Sequence, residues 1–235
     1  MAKTKIIQKF KPFRKVKDIN YLKRIIKGSR GLALDIDDTL ALTFGYWVGA
    51  IKKRFGDPEN LTPEQLVAKY KQSQFVPYWQ TPEALQFMED LRVDDSIQTQ
   101  IPLIENSNEI IYKINKIVPI LTYITNRPEC IYPGTKRFLQ MHNFLNLPII
   151  FGSSGPHQTE GAKWKAKVLK ILYPEIIGVI DDSSSFIKEL EPNYQGVIFH
   201  YNHQEKCSDK LNIIPCNRWA DILKEIKRLN LKLLR

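Results

Sequence analysis

Three carboxylates stand close together near the start of the chain, directly after a short apolar run. Asp35 follows Leu34, and Asp37 and Asp38 come within the next three positions. Because side chains alternate along an extended strand, Asp35 and Asp37 leave it on the same side. Like charges so close repel each other unless a cation neutralises them or one carboxyl keeps its proton. The cluster therefore predicts a divalent-metal site combined with general acid catalysis.

Two later apolar runs end in polar groups in the same way. One is followed by Thr125, Asn126 and Arg127, and the other by Asp181 and Asp182. Open α/β sheets bind their ligands at the carboxyl ends of the strands, so we expect these groups to meet the first cluster there. An aspartate at a strand end also often caps the next helix, and this is the alternative interpretation of any one of these acids taken singly.

Taken in order, these groups resemble the four motifs of the haloacid dehalogenase superfamily of phosphotransferases. The first motif, Asp-x-Asp-x-Thr, matches Asp35, Asp37 and Thr39. The second motif is a Thr or Ser at the end of the next core strand, where this chain has Thr125. The third is a Lys at the start of a later helix, and the fourth is an acidic pair after the following strand, matched at positions 181–182.

The resemblance implies a phosphatase reaction through a covalent aspartyl-phosphate. Asp35 would attack phosphorus, while Asp37 would protonate the leaving oxygen and then activate water. A phosphoryl group in transfer spreads negative charge over its oxygens, so the site needs hydrogen-bond donors and cations. Thr125 and the backbone N–H of Asn126 are the expected donors, and Arg127 is expected to pair with a substrate anion.

The metal that the resemblance implies is Mg²⁺. This ion prefers a few hard oxygen ligands and keeps several of its waters. The superfamily pattern assigns Asp35, the backbone carbonyl of Asp37 and Asp182 as ligands, with Asp181 in support. The ion would also screen the Asp35 carboxylate from the phosphate that it must approach.

The lysine of the third motif is one of four in a single predicted helix. In the superfamily pattern this lysine precedes apolar helix positions by four and by seven residues, and Lys165 does so with Leu169 and Leu172. Lys163 has a charged residue at the first of those positions, so it is the second choice. We therefore expect Lys165 to bind the phosphate, and the four matches together cover residues 31 to about 190.

The elements that must position these groups are readable as an alternation of apolar runs and segments with helical periodicity. The predicted strands are 32–36, 119–124, 148–151, 176–180 and 197–199. The predicted helices of this part of the chain are 106–117, 134–141, 163–173, 183–190 and 218–234. Such alternation predicts βαβ units and therefore an α/β fold, with a Rossmann-like parallel sheet flanked by helices.

Residues 44–100 interrupt this alternation. Helix-start signals occur at Thr62-Pro63-Glu64 and at Thr81-Pro82-Glu83, each a capping residue followed by proline at the first helical position. We therefore predict a small helical insertion after the first strand, which is where the superfamily carries its C1-type cap. Closure of such a cap excludes water from the site.

The substrate class is predicted from the second motif and from the insertion. The string at 123–129, together with the aromatic residues of the insertion, resembles the nucleotidase-type branch of the superfamily. Most of these aromatic side chains are expected to pack the core of the insertion itself. A minority, from among Tyr46, Trp47 and Trp79, would be free to stack on a nucleotide base.

Basic residues concentrate at the N-terminus. The formal net charge is +10, and residues 1–30 hold eleven Lys or Arg against one acid, so the remaining chain is formally neutral. We therefore expect a basic N-terminal arm at 1–30 with a short helix starting at Asp18, a catalytic core at 31–43 and 101–235, and the insertion at 44–100. The arm is a candidate nucleic-acid-binding segment.

Composition limits the class of protein. With 43% hydrophobic and 26% charged residues, and without an apolar run of about 18 residues, the sequence is that of a globular protein with no membrane span. The three cysteines lack the spacing of zinc or redox sites, which favours a reducing compartment and a cytoplasmic location. His200 and His203 have no further metal-ligating residues nearby in the sequence, so we expect a surface turn there.

The function expected from these observations is Mg²⁺-dependent hydrolysis of a phosphomonoester, with a nucleotide or another small phosphorylated metabolite as substrate. A phosphatase of nucleic-acid ends, held by the basic arm, is one alternative. A phosphomutase is another, and it would need a second acceptor hydroxyl. A non-catalytic nucleic-acid-binding protein with a relic core is the third, and the four intact motifs argue against it.

Overall fold

The structure is a computed structural model that describes residues 13–70, 73–152 and 158–233. The first twelve residues of the predicted basic arm lie outside the described residues. The strands are β1 (Lys15–Val16), β2 (Gly31–Leu34), β3 (Ile120–Thr125), β4 (Ile149–Phe151), β5 (Ile176–Asp181), β6 (Val197–Tyr201) and β7 (Ile213–Cys216). They form one sheet in the order β1-β4-β3-β2-β5-β6-β7, and neighbouring strands are parallel. The predicted α/β fold with a parallel sheet is confirmed.

Helices cover both faces of this sheet, and a separate group of helices follows β2. The helices are α1 (Ile19–Ile26), α2 (Thr43–Phe55), α3 (Pro63–Tyr70), α4 (Pro82–Val93), α5 (Ser107–Asn115), α6 (Tyr132–Met141), α7 (Gln158–Leu172), α8 (Ser184–Leu190) and α9 (Trp219–Leu233). Leu32 and Leu34 of β2 face a core shared with α5, α6 and α9, whereas Ala33 faces a second core shared with α1, α7 and α8. This alternation follows from the two-residue period of a strand. None of the helices in the described part of the chain has the length and apolar character needed to cross a membrane.

Two strands at the sheet edges are absent from the sequence prediction. β1 has two residues, one of them Lys15, so it offers no alternating apolar pattern. β7 contains Pro215, which lacks an N–H group and is therefore usually evidence against a strand. Proline is tolerated here because β7 pairs on one side only, with β6, at the edge of the sheet.

The segment 13–30 packs against the sheet. Phe13, Leu22 and Ile26 are fully buried in the two cores, and β1 pairs with β4. Asp18 accepts a hydrogen bond from the N–H of Asn20 at 2.9 Å and so caps α1, as predicted. The apolar residues of this part of the predicted arm give it a buried face despite its positive charge.

Helices α2, α3 and α4 pack around a core of their own, which includes Val48, Leu66 and Trp79. Each of two helices begins at the predicted signal. Thr62 and Gln65 exchange side-chain to backbone hydrogen bonds at the start of α3, and Thr81 accepts from Ala84 N at 3.2 Å at the start of α4. The helical segment follows β2, which is the second strand of the chain because β1 precedes it.

The sheet order brings the predicted motifs to one edge. β2 lies between β3 and β5, and Leu34 is in register with Tyr123 on one side and Ile180 on the other. The chain therefore leaves the three central strands at Asp35, Thr125 and Asp181, at the same carboxyl edge.

Candidate active site

The central contact of the site is made by Lys165 of α7. Its Nζ atom lies 2.7 Å from Asp35 Oδ1 and 2.8 Å from Asp181 Oδ2. The relative exposures of Lys165, Asp35 and Asp181 are 2%, 4% and 0%. The ammonium group therefore joins the first and fourth motifs inside the protein, whereas Lys163 of the same helix is exposed.

Small residues let α7 reach this position. A Cβ atom added at Gly152 would lie 3.2 Å from Asn126 Cα, and one added at Gly161 would lie 3.1 Å from Asn126 Cγ. Both distances are tighter than ordinary van der Waals contact, so Gly152 lets the end of β4, and Gly161 lets the start of α7, approach the end of β3 closely. This approach helps place Lys165 beside the end of β2.

Asp182 completes an acidic cluster with Asp35 and Asp181. One carboxylate oxygen from each of the three lies within 4.8 Å of the others, and the side chain of Asp182 is partly exposed. Thr39 Oγ1 donates a hydrogen bond to Asp182 Oδ1 at 3.1 Å. Three carboxylates face one ammonium group, so the charge and the hard oxygen donors of the cluster fit a divalent cation such as Mg²⁺.

The pKa values of the three aspartates are raised, because their negative charge is not fully compensated. Burial, with repulsion from Asp181 and Asp37, raises the pKa of Asp35 to about 8 although Lys165 opposes the shift. Burial also raises the pKa of Asp181, and burial with repulsion from neighbouring carboxylates raises that of Asp182 well above its usual range. The pKa of Lys165 is raised because the attraction of its two carboxylates outweighs its burial. A bound cation would relieve the repulsion that disfavours the ionised acids.

Asp37 lies in a different environment. Its Oδ1 atom accepts hydrogen bonds from Arg127 Nε at 2.9 Å and from Thr43 Oγ1 at 2.6 Å, and Arg127 Nη2 lies 2.8 Å away. Burial would raise the pKa of Asp37, but the charge and hydrogen bond of Arg127, with the hydrogen bond of Thr43, lower it overall. Asp37 is therefore held as a carboxylate.

Thr125 and Asn126 lie at the end of β3, beside Asp37. Thr125 is fully buried, and its Oγ1 atom accepts a hydrogen bond from the N–H of Arg127 at 3.2 Å. The same atom makes a long contact of 3.5 Å with Asp37 Oδ2. Asn126 is exposed.

Two predicted substrate contacts are placed differently by the structure. The Arg127 guanidinium is buried and binds Asp37, Thr43 and Thr135, so its partners are protein groups. Trp79 is fully buried in the core of the insertion, where its indole N–H donates to the Gly56 carbonyl, and this excludes stacking on a base.

The other two aromatic candidates are partly buried. The Tyr46 hydroxyl donates to Gln100 Oε1 at 3.0 Å, and its ring packs against both the sheet core and the core of the insertion. Trp47 packs against the core of the insertion. Of the aromatic candidates, Tyr46 is the one that bridges insertion and sheet.

Several residues at the site escaped the sequence prediction. Thr43 and Thr135 bind Arg127, and the Trp219 indole N–H donates to the Thr39 carbonyl at 3.1 Å. His200 is fully buried and lies against Asp182, whereas a surface turn was the expectation. No local sequence signal marked this contact, because it depends on the pairing of β6 with β5, where His200 is in register with Asp181.

Asp38 has a structural role. Its φ angle of 50° lies in the left-handed region, which aspartate tolerates better than most residues. Its Oδ1 atom accepts from Phe44 N at 3.0 Å, at the start of α2. Asp38 thus caps the first helix of the insertion, and burial raises its pKa to about 7.

No protein-family model and no curated protein matches this sequence. Solved structures do match. A crystal structure described as a dehalogenase aligns with a TM-score of 0.52 and 13% sequence identity, over 85% of this chain and 97% of that chain. A Thermotoga maritima protein provisionally named a beta-phosphoglucomutase aligns with a TM-score of 0.50 and 14% identity, over 84% of this chain and 99% of that chain.

A third structure carries a superfamily name. It is a HAD-superfamily hydrolase of subfamily IA, variant 1, from Geobacter sulfurreducens, with a TM-score of 0.50 and 14% identity over 83% of this chain and 96% of that chain. The fold is that of the haloacid dehalogenase superfamily. In this haloacid dehalogenase fold, the predicted motif residues Asp35, Thr125, Lys165 and Asp182 converge at the carboxyl edge of the sheet.

Proposed function

We propose that the protein is a Mg²⁺-dependent phosphomonoester hydrolase that works through a phospho-aspartate at Asp35. The observation that carries the proposal is the buried contact of Lys165 with both Asp35 and Asp181, beside an oxygen of Asp182. A purely structural ion pair would need one carboxylate for one lysine. Three clustered carboxylates instead leave negative charge that a divalent cation would neutralise.

In the first step, an Asp35 carboxylate oxygen forms a bond to phosphorus while the bond from phosphorus to the leaving oxygen breaks. Asp37 gives its proton to that leaving oxygen, and the alcohol departs. Lys165 holds the Asp35 carboxylate in one orientation through a 2.7 Å contact and places positive charge beside the reacting group. The contacts of Asp37 lower its pKa and so oppose this step, in which the carboxyl has to take up a proton before it donates one.

In the second step, Asp37 takes a proton from water, and the water oxygen bonds to phosphorus as the bond to Asp35 breaks. Inorganic phosphate and the free Asp35 carboxylate are the products. The hydrogen bonds from Arg127 and Thr43 favour ionised Asp37, which is the form that a general base requires. Thr125 is the closest side-chain hydroxyl donor of β3 to this carboxylate.

Asp35, Asp182 and the Asp37 carbonyl would hold the Mg²⁺ ion. Asp181 is already bound through both oxygens, by Lys165 and by the N–H of Ser183 at 2.9 Å, so it would support the site indirectly. When bound, the ion would reduce the repulsion between the Asp35 carboxylate and the phosphate and would help orient the phosphoryl group.

The proposed substrate is a small phosphorylated metabolite, with nucleoside monophosphates the first class to test. Helices α2–α4 follow β2 directly and would form a cap above the carboxyl edge. Tyr46, at the junction of the insertion and the sheet core, is the best placed of the aromatic candidates to contact a base.

The test is a phosphatase screen over nucleotides, sugar phosphates and phosphorylated oligonucleotides, with Mg²⁺ and with EDTA. We expect phosphate release that requires Mg²⁺ and is lost in Asp35→Asn but kept in Asp209→Asn, an exposed control. Undiminished release from Asp35→Asn would contradict the proposal. Transfer of the phosphoryl group to a second hydroxyl, in place of release, would identify a mutase.

A second candidate is a phosphatase of nucleic-acid ends, which one surface feature favours. Lys163, Lys167 and Lys170 are exposed on α7, four and three residues apart, so they share one face of the helix. They extend over about 10 Å of a helix whose buried face carries Lys165. The row lies on the opposite side of α7 from Lys165, so a polynucleotide bound along it would have to pass around the helix to bring its phosphorylated end to Asp35. Glu189 lines the same groove.

Salt dependence separates the two candidates. Neutralisation of the row, with Lys163, Lys167 and Lys170 all changed to Gln, should weaken action on oligonucleotides and flatten its dependence on salt. Small substrates should be hydrolysed at an unchanged rate. An unaltered response of oligonucleotide hydrolysis to salt would leave the small-metabolite phosphatase as the proposal.

A further inference from the structure

Two histidine side chains contact the backbone carbonyl of Asp182. The Asp182 carbonyl oxygen lies 3.1 Å from His200 Nε2 and 2.9 Å from His203 Nε2. The two imidazole rings are stacked, with centroids 3.5 Å apart and an interplanar angle of 14°. One acceptor is thus shared by two ring nitrogens that approach it side by side.

The local sequence explains how both rings reach one atom. His200 is on β6 in register with Asp181 of β5, so it lies next to the point where the fourth motif leaves the sheet. The chain then turns at Asn202, whose φ angle of 59° is in the left-handed region that asparagine tolerates. This turn brings His203 back over the ring of His200.

The environment of His200 fixes which nitrogen carries the proton. His200 is fully buried, and its Nδ1 atom has no hydrogen-bond partner among the described residues. A buried N–H group without a partner is rarer and more costly than an unsatisfied acceptor. The neutral ring therefore carries its hydrogen on Nε2 and donates it to the Asp182 carbonyl.

A metal ion between the two rings fits this geometry poorly. A ring nitrogen directs its lone pair in the plane of the ring, and rings stacked 3.5 Å apart cannot both direct lone pairs at one ion. Two N–H donors can share one carbonyl oxygen, because that oxygen has two lone pairs and a broad angular preference.

We propose that His200 and His203 are positioning residues that clamp the Asp182 peptide and thereby aim its carboxylate at the cation. The inference rests on the proposed role of Asp182 as a Mg²⁺ ligand. Thr39 holds the carboxylate of Asp182 at 3.1 Å, so the residue is bound at both its side chain and its backbone. Partners that orient a metal ligand in this way typically contribute 10- to 100-fold to metal affinity.

The experiment measures Mg²⁺ binding by titration calorimetry on the full chain without substrate, so that it does not depend on activity. His203→Leu removes the donor, and His203→Gln keeps an N–H donor of similar reach. We expect His203→Leu to weaken Mg²⁺ binding about tenfold or more and His203→Gln to restore most of it. His142→Leu, which alters a histidine in contact with Phe138, should bind Mg²⁺ as the wild type does.

Thermal unfolding of each variant separates positioning from a loss of structure. The proposal expects the two His203 variants to have similar melting temperatures and different Mg²⁺ affinities. Equal affinity in His203→Leu and the wild type would overturn the clamp, as would an equal loss in His203→Leu and His203→Gln. Asp182→Asn is the reference, because unaltered Mg²⁺ binding in that variant would overturn the proposed metal site itself.

Discussion

Asp35 and Asp37 are two residues apart, yet their carboxylates lie in opposite electrostatic environments. Asp35 is buried beside Asp181 and Asp182 with one ammonium group between them, and its pKa is raised to about 8. Asp37 lies beside the Arg127 guanidinium and accepts the Thr43 hydroxyl, and its pKa is lowered. Asp35 thus lies in a cluster with excess negative charge, whereas Asp37, two residues later, lies in a complete ion pair with Arg127.

The difference suggests a division of labour. The Asp35 side has more anions than cations, which suits the binding of a metal ion next to a nucleophile. The Asp37 side is satisfied by protein groups alone, which suits the general base of the second step, whose carboxyl has to be ionised when water approaches. Substitutions that act on one side and spare the other test this assignment.

The largest expected effect is on the two chemical steps. With an aryl phosphate, whose leaving group needs little help from a proton, Asp37→Asn should form the phospho-enzyme and then turn over roughly 10² to 10⁴ times more slowly. Asp35→Asn should form no phospho-enzyme at all. Rapid-quench measurement of the phenolate burst distinguishes them, and a burst in Asp35→Asn would place the nucleophile elsewhere.

The next effect concerns the stability of the Asp35 side. Lys165→Met leaves buried carboxylates without their ammonium partner, and breaking a buried pair in this way costs about 3–5 kcal/mol. Lys163→Met, two residues away on the same helix but exposed, should change the free energy of unfolding by less than about 0.5 kcal/mol. Chemical denaturation in EDTA measures both, and equal stabilities would contradict the central role of the Lys165 contact.

A smaller effect is expected on the Asp37 side. Arg127→Lys keeps the positive charge but cannot reach Asp37, Thr43 and Thr135 at once, so about 1–3 kcal/mol of stability should be lost. Arg137→Lys alters an exposed arginine that pairs with Asp95 and should cost less than about 1 kcal/mol. Thermal denaturation of the two variants provides the comparison. If Arg127→Lys lost no more stability than Arg137→Lys, the hydrogen bonds of the buried Arg127 guanidinium would not be needed for stability.

A further effect is a dependence of stability on pH. The folded pKa of Asp35, about 8, lies above its ordinary value of 3.8, so the native state binds the extra proton between these values. The free energy of unfolding should therefore fall as pH rises from 5 to 8, by at most about 1.4 kcal/mol per pH unit from this group. Asp37 has a lowered pKa, so its contribution is present above 3.8 and is lost only at lower pH.

The pH prediction is checked by denaturation without metal between pH 5 and 8. Asp35→Asn should lose the part of the slope that comes from this carboxyl. Asp37→Asn should keep most of it, because burial contributes more than repulsion from Asp37 to the raised pKa of Asp35. Identical slopes in the wild type and Asp35→Asn would show that the repulsion in the cluster is relieved by other means.

The parts of the fold that sequence patterns predicted are those with local signals. β2 to β6 are apolar runs bounded by polar residues, and the helix starts at Thr62 and Thr81 are marked by capping residues followed by proline. β1 and β7 carried no such signal, one because it is short and the other because of Pro215. The order of the strands in the sheet was not predicted, because it depends on pairing between segments far apart in the chain.

The site residues also include some that the sequence could predict and some that it could not. Asp35, Thr125, Lys165 and Asp182 follow strand ends or match a helix pattern, so their types and spacing could be recognised. The partners of Arg127 could not, because Asp37 and Thr43 are 90 and 84 residues away in sequence. The sequence also suggested a surface turn for His200 and His203, because their contact with Asp182 forms only when β5 and β6 pair.

By itself, the sequence determined which side chains can do chemistry. It also determined that strands end beside those side chains, because apolar periodicity and capping act over a few residues. Only the tertiary structure decided which charges are compensated, because pairing depends on distances between strands and helices far apart in the chain. Asp35 and Asp37 therefore look alike in the sequence, and burial with unequal partners makes one a carboxyl with a raised pKa and the other a stable carboxylate.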